Sequence, residues 1–72
     1  MSIGEDVPAH RAATRYVRGL LAEYQQRLRS RSLPPYIIPF YQERVRGLDR
    51  ELEMLFAGDN RRARAWVNIA GL

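Results

Sequence analysis

The side chains able to act as nucleophiles, bases or metal ligands are few in this sequence, and they are scattered. His10 is the only histidine, there is no cysteine, and the eight carboxylates form no catalytic motif. Glu51 and Glu53 lie two residues apart, a spacing that points them to different sides of a helix and prevents them from acting as a paired acid and base. There is no glycine-rich phosphate loop. We therefore expect a protein that is not an enzyme and that uses no metal ion or cofactor.

Arginine is the residue type that stands out. All twelve basic residues are arginine, lysine is absent, and the net charge is +4. The planar guanidinium binds phosphate and carboxylate groups through two parallel hydrogen bonds, although GC-rich codon usage would produce the same bias. Arg11, Arg15 and Arg18 share one helical face, which is either an RNA- or DNA-binding row or an ordinary solvated surface.

A run of apolar residues separated by four, three, four and three positions predicts a helix that packs lengthwise against another helix. We call this run the apolar seam, and it consists of Tyr41, Val45, Leu48, Leu52 and Leu55. The helix should cover residues 39–57 and end at Gly58, in the left-handed conformation that glycine adopts at helix ends.

Two further helices flank the helix that carries the apolar seam. Pro8 marks the start of the first, over residues 8–31, and Pro34 with Pro35 prevents it from continuing. The third, over residues 60–70, is capped by Asp59 or Asn60 and carries Trp66 on its apolar face. Trp66 either folds back over the helix pair or anchors an interface.

The connection over residues 32–38 is unusually apolar for a loop. It either plugs the end of the helix pair or forms an exposed binding patch held by prolines. Because arginine and aromatic residues dominate interface hot spots, we predict that this loop and the nearby arginines bind a partner protein. The predicted partner-binding residues are Arg27, Arg29, Arg31, Leu33, Tyr36, Ile37 and Ile38.

A second stripe, formed by Phe40, Gly47 and Met54, repeats every seven residues about 120° from the apolar seam. It indicates that the second long helix is contacted on two sides. Gly47 either admits a close neighbouring helix or is a tolerated surface glycine. Because a chain of 72 residues without disulfides builds only a small core, we expect association into a homodimer.

These patterns predict one all-α domain over residues 1–72, an antiparallel helical hairpin with a short third C-terminal helix that dimerises into a bundle. No export signal or membrane-spanning segment is apparent, so we expect a soluble, cytoplasmic protein that does not enter a membrane. The predicted function is that of a small non-enzymatic regulator or adaptor that binds another protein, with nucleic-acid binding as the alternative. Plasmid-type regulators of RNA and small phage inhibitors of host proteins resemble this outline in shape, and the resemblance assigns no residue a role.

Overall fold

The computed structural model describes residues 3–72, and its first helix, α1, spans Ile3–Arg29. α1 starts earlier than the predicted residue 8 and ends two residues before the predicted residue 31. Pro8 lies inside the helix and not at its first position. A proline inside a helix removes the hydrogen bond of its missing N–H and crowds the carbonyl of the residue four positions earlier. Only one turn of α1 precedes Pro8, so the disturbance is confined to the start of the helix. At 1.5 Å per residue, α1 is about 40 Å long.

The chain then reverses direction through a short, well-connected turn. The hydroxyl oxygens of Ser30 and Ser32 are hydrogen bonded at 2.7 Å, and a single 3-10 turn, Pro35–Ile37, follows. The second long helix, α2, spans Ile38–Phe56, one residue earlier at each end than predicted. The loop predicted over residues 32–38 is therefore partly helical.

The connection between α2 and the third helix, α3, is made by a glycine after α2 and an aspartate cap before α3, as the sequence predicts. Gly58 has a φ of 90°, which confirms the predicted left-handed position after α2. Asp59 caps α3, since its side chain accepts a hydrogen bond from the backbone N–H of Arg62 at 3.0 Å. α3 spans Asn60–Ala70, as predicted.

The core lies between α1 and the other two helices, and α2 and α3 contact each other only over a small area. Leu48 and Leu55 of the apolar seam are buried against α1, whereas Val45 and Leu52 are partly covered. Tyr41 is half-buried, with its ring edge-on to Tyr24 at a centroid distance of 5.2 Å. The all-α hairpin is thus confirmed. The buried apolar residues are Ala13, Val17, Leu21, Leu48, Leu55 and Ala63.

α3 packs on the N-terminal half of α1. Ala13 and Ala63 are fully buried, and their small side chains allow the two helices to approach closely. At the start of α3, His10 Nε2 lies 2.6 Å from the side-chain oxygen of Asn60. Further along, the rings of Tyr16 and Trp66 lie 5.9 Å apart. Trp66 therefore folds back onto the helix pair.

The molecule is elongated, with extents of 49 × 19 × 16 Å. Its radius of gyration is 14.2 Å, whereas about 11 Å is typical of a compact domain of this length. The accessible surface is 5689 Å², whereas a monomer of this mass usually exposes about 4,600 Å². The fold consequently leaves more surface in water than a compact protein of its size.

Candidate interaction surfaces

The turn between α1 and α2 forms the first candidate surface, which we call the loop end and define as Arg29, Arg31, Leu33 and residues 36–38. Leu33, Ile37 and Ile38 are partly buried, so these side chains cover the end of the hairpin. Tyr36 behaves differently, because 82% of it is exposed to solvent. Both interpretations of this loop thus apply, each to different residues. Three side chains cover the end of the helix pair, and the ring of Tyr36 is exposed.

The backbone of the loop end is held by local interactions. Pro34 adopts an extended conformation with φ −61° and ψ 138°, and its carbonyl oxygen accepts a hydrogen bond from the N–H of Ile37 at 3.0 Å. Pro35 and Pro39 fix two further φ angles. Because the chain around Tyr36 has lost much of its freedom in the free protein, a partner that binds the ring has less entropy to remove.

The side chain of Arg27 contacts Tyr41 of α2 and not the residues of the loop end. Its Nη1 donates a hydrogen bond to the hydroxyl of Tyr41 at 3.3 Å. This hydrogen bond and the electrostatic attraction of Tyr41 raise the pKa of the Arg27 guanidinium. At 100° per residue, Arg27 and Arg29 point about 160° apart around α1. The two residues therefore do not present their charges to one partner surface.

A second candidate surface, the basic cleft, lies where the end of α2 meets α1. It is a depression of about 650 Å³ beside Arg11, Arg15 and Arg18, and Phe56 forms its far wall. Phe56 is 64% exposed, and the guanidinium carbon of Arg18 lies 5.4 Å from the centre of its ring. The predicted arginine row is thus joined by an aromatic face.

The charges of the basic cleft are not neutralised by the described residues. The carboxylates of Glu51 and Asp59 both pair with Arg62, and Glu43 pairs with Arg46 at 3.7 Å. Among the described side chains, those of residues 7–72, no ion pair is formed by the three arginines of the cleft. The cleft therefore presents net positive charge to any ligand that enters it.

The third candidate surface is an apolar groove between the two long helices, with a volume of about 520 Å³. α3 covers only one end of the hairpin. Its Trp66 forms one wall of the groove. The Trp66 Nε1 donates a hydrogen bond to Glu51 Oε1 at 2.9 Å, which fixes the position of that wall. The residues that line the groove include Leu20, Tyr24, Phe40, Gly47, Leu48 and Trp66.

Two residues of the second stripe of α2, Phe40 and Gly47, line this groove. Phe40 is 57% exposed, with the guanidinium carbon of Arg44 5.5 Å from its ring centre and the ring of Tyr41 6.4 Å away. A Cβ atom added to Gly47 would meet nothing within 4 Å. Of the two alternatives for Gly47, the described part of the protomer therefore shows no close approach by a neighbouring helix.

The described side chains contain no candidate metal site. Among residues 7–72, no group of three His, Cys, Asp or Glu side chains is arranged to hold a metal ion. His10 Nε2 contacts the side-chain oxygen of Asn60. In the part of the chain that the structure describes, no helix is long and apolar enough to cross a membrane.

Phe56 is the residue of these surfaces that sequence reasoning missed. It lies four residues after Leu52 and so falls at the edge of the apolar seam, close to the end of a helix. A large aromatic side chain beside the seam that is not needed to fill the predicted core is the signal that could have identified it. Its neighbours in the cleft come from α1, and their proximity depends on how the two helices pair.

A scan against protein-family models found no match for this chain, and searches of curated proteins and of solved structures found none either.

Proposed function

We propose that this protein is a non-enzymatic adaptor or regulator that binds another protein through the loop end. The observation that carries the proposal is Tyr36, which is 82% exposed on a segment held by three prolines. Arg29, the last residue of α1, and Arg31, in the turn that follows, are both exposed and precede Tyr36 in the chain. A rigid aromatic anchor beside arginine is the composition that hot spots of protein interfaces favour.

Binding to the loop end is tested by affinity capture from nuclease-treated extract of the source cells, followed by quantitative mass spectrometry. The test variant combines Tyr36→Ala with Arg31→Ala. We expect it to recover at least about tenfold less of a partner captured by the wild type, because removing hot-spot residues costs about 2 kcal/mol or more.

The matched control combines Phe56→Ala with Arg15→Ala. It also removes one exposed aromatic ring and one arginine, but from the basic cleft. It should capture the same partner as the wild type. Equal capture by all three proteins would exclude the loop end as the binding site.

A second candidate function, nucleic-acid binding, is supported by the composition of the basic cleft. Three arginines without carboxylate partners among the described residues lie beside the exposed ring of Phe56. Arginines of this kind contact phosphates, and an exposed aromatic face stacks on bases of single strands or splayed loops. The combination fits structured RNA with unpaired bases better than duplex DNA.

This function is tested by mobility shift with a structured RNA and a DNA duplex at about 50 mM salt, where phosphate contacts are strong. Changing Arg11, Arg15 and Arg18 to glutamate should abolish the shift. Phe56→Ala should weaken RNA binding by about tenfold, the usual size of one base stack. The Tyr36→Ala and Arg31→Ala variant serves as the control and should bind normally. If the wild type shifts neither probe at this salt concentration, the cleft does not bind nucleic acid.

We also propose that the functional form is a homodimer in which the long helices of two copies make a bundle. The support is the elongated shape and the surface of 5689 Å². The surplus over a compact monomer is about 1,100 Å², and a stable interface typically buries about 800 Å² on each partner. Light scattering during size-exclusion chromatography tests it, because a species of 8.4 kDa at every concentration would exclude the dimer.

A further inference from the structure

We propose one interface for this dimer. The second stripe of α2, formed by Phe40, Gly47 and Met54, packs antiparallel against the same stripe of a second copy. The twofold axis that relates the two copies passes beside Gly47. The inference rests on the homodimer proposed above and identifies the surface that forms it. Its evidence is the exposure of Phe40, the open space at Gly47, and the opposite charges of Glu43 and Arg50 on one flank of the stripe.

Part of the stripe is left uncovered by the described chain. α1 occupies one side of α2, and α3, with eleven residues, is only about 16 Å long and contacts α2 over a small area. Phe40 is more than half exposed, and the space that a side chain at Gly47 would enter is open, whereas Met54 is partly buried. A second helix can therefore approach α2 at Phe40 and Gly47, and Met54 offers it the part of its side chain that stays exposed.

The spacing of the stripe fits a twofold axis. Phe40 and Met54 are each seven residues from Gly47, which places each of them about 10.5 Å away along the helix. With the axis at Gly47, the two glycines lie against each other, and each Phe40 lies against Met54 of the second copy. The missing side chain at the crossing point permits close approach of the helices, and the larger residues fill the space on both sides.

The charges beside the stripe are complementary in this arrangement. A twofold axis between antiparallel helices keeps residues of one flank on the same flank of the pair. On one flank it brings Glu43 next to Arg50 of the second copy. On the other flank Arg44 lies near Glu51 of the second copy, but both carboxylate oxygens of Glu51 are already bound by Trp66 and Arg62 of its own protomer. The symmetry therefore makes two contacts of opposite sign, each between Glu43 and Arg50, and no like charges lie opposite each other at these positions.

The decisive variant is Gly47→Leu. It should weaken the dimer if Gly47 lies in the interface and should leave it unchanged if Gly47 is an ordinary surface residue. Within one protomer nothing obstructs the new side chain, and leucine is the better helix former. We expect the folded helical content to be kept, while the dissociation constant of the dimer rises by about 100-fold through overpacking at the crossing point. Analytical ultracentrifugation measures the constant, and circular dichroism checks the fold.

Gly19→Leu is the matched control. Gly19 is also an exposed helical glycine with nothing within 4 Å of an added Cβ atom, but it lies on α1. The dissociation constant of the Gly19→Leu dimer should stay within about twofold of that of the wild type. If Gly47→Leu leaves a wild-type dimer unchanged, this interface is wrong and the dimer uses another surface. If the wild type itself never dimerises, the homodimer proposal fails as well.

A charge exchange tests the antiparallel register. Glu43→Arg and Arg50→Glu should each weaken the dimer by about fivefold, the effect of an exposed ion pair that becomes a repulsion. Combining them should restore affinity to within about twofold, because the exchanged charges again meet opposite signs. The two residues are seven positions apart on one helix and cannot reach each other within a protomer. Additive weakening in the double variant would overturn the register.

Discussion

At the scale of single residues, Glu51 links α2 to α3. One carboxylate oxygen accepts the indole N–H of Trp66 at 2.9 Å, and the other forms an ion pair with Arg62. Arginines in the first turn of α3 oppose the helix dipole, and the sequence alone leaves open whether Glu51, Glu53 or an acidic partner compensates them. The sequence does not identify the bond to Trp66, because that contact requires α3 to fold back.

Replacing Glu51 by alanine should reduce the free energy of unfolding by about 1–2 kcal/mol, since both contacts are partly exposed to solvent. The emission of Trp66, the only tryptophan, should shift to longer wavelength as its indole N–H becomes hydrated. Urea denaturation and fluorescence measure the two effects. Glu53→Ala, an exposed neighbour on the same helix, should change neither, and an unchanged Glu51→Ala protein would show that these contacts do not stabilise α3.

At the scale of the helices, local signals predict boundaries well where a residue type permits only one conformation. Gly58 ends α2 because its φ is positive, and Asp59 starts α3 because its carboxylate accepts the N–H of Arg62. The start of α1 is harder to predict. Pro8 is compatible with the first position and with the early interior of a helix, and local sequence does not decide between them.

The cap at the start of α3 should contribute measurably to stability. Asp59→Ala removes both the bond to the Arg62 N–H and an ion pair of 3.4 Å to the same residue. We expect a loss of about 1 kcal/mol and faster hydrogen exchange over residues 60–64, because a fraying first turn exposes its N–H groups. Asp49→Ala, on the exposed face of α2, is the control and should leave exchange in α3 unchanged. Equal exchange in both variants would mean that packing of Ala63 and Trp66 alone holds α3.

At the scale of the whole molecule, what the sequence does not reveal depends on how the helices meet. Helical periodicity identifies Leu48 and Leu55 as core residues, and both are buried. It does not reveal that Phe56 faces the arginines of α1, nor that α3 leaves the apolar groove between α1 and α2 open. These features follow from the position of one helix relative to another, and residues far apart in sequence determine that position.

If the uncovered surface is buried between two copies, thermal stability must depend on protein concentration. Unfolding of a dimer releases two chains, so mass action favours the folded dimer as concentration rises. For a chain of this size, we expect the melting temperature to increase by about 5–10 °C over a hundredfold increase in concentration. Gly47→Leu should remove this dependence, whereas Gly19→Leu should keep it. Calorimetry at the two concentrations measures the shift, and a wild-type melting temperature that is the same at both would mean that the protein unfolds as a monomer.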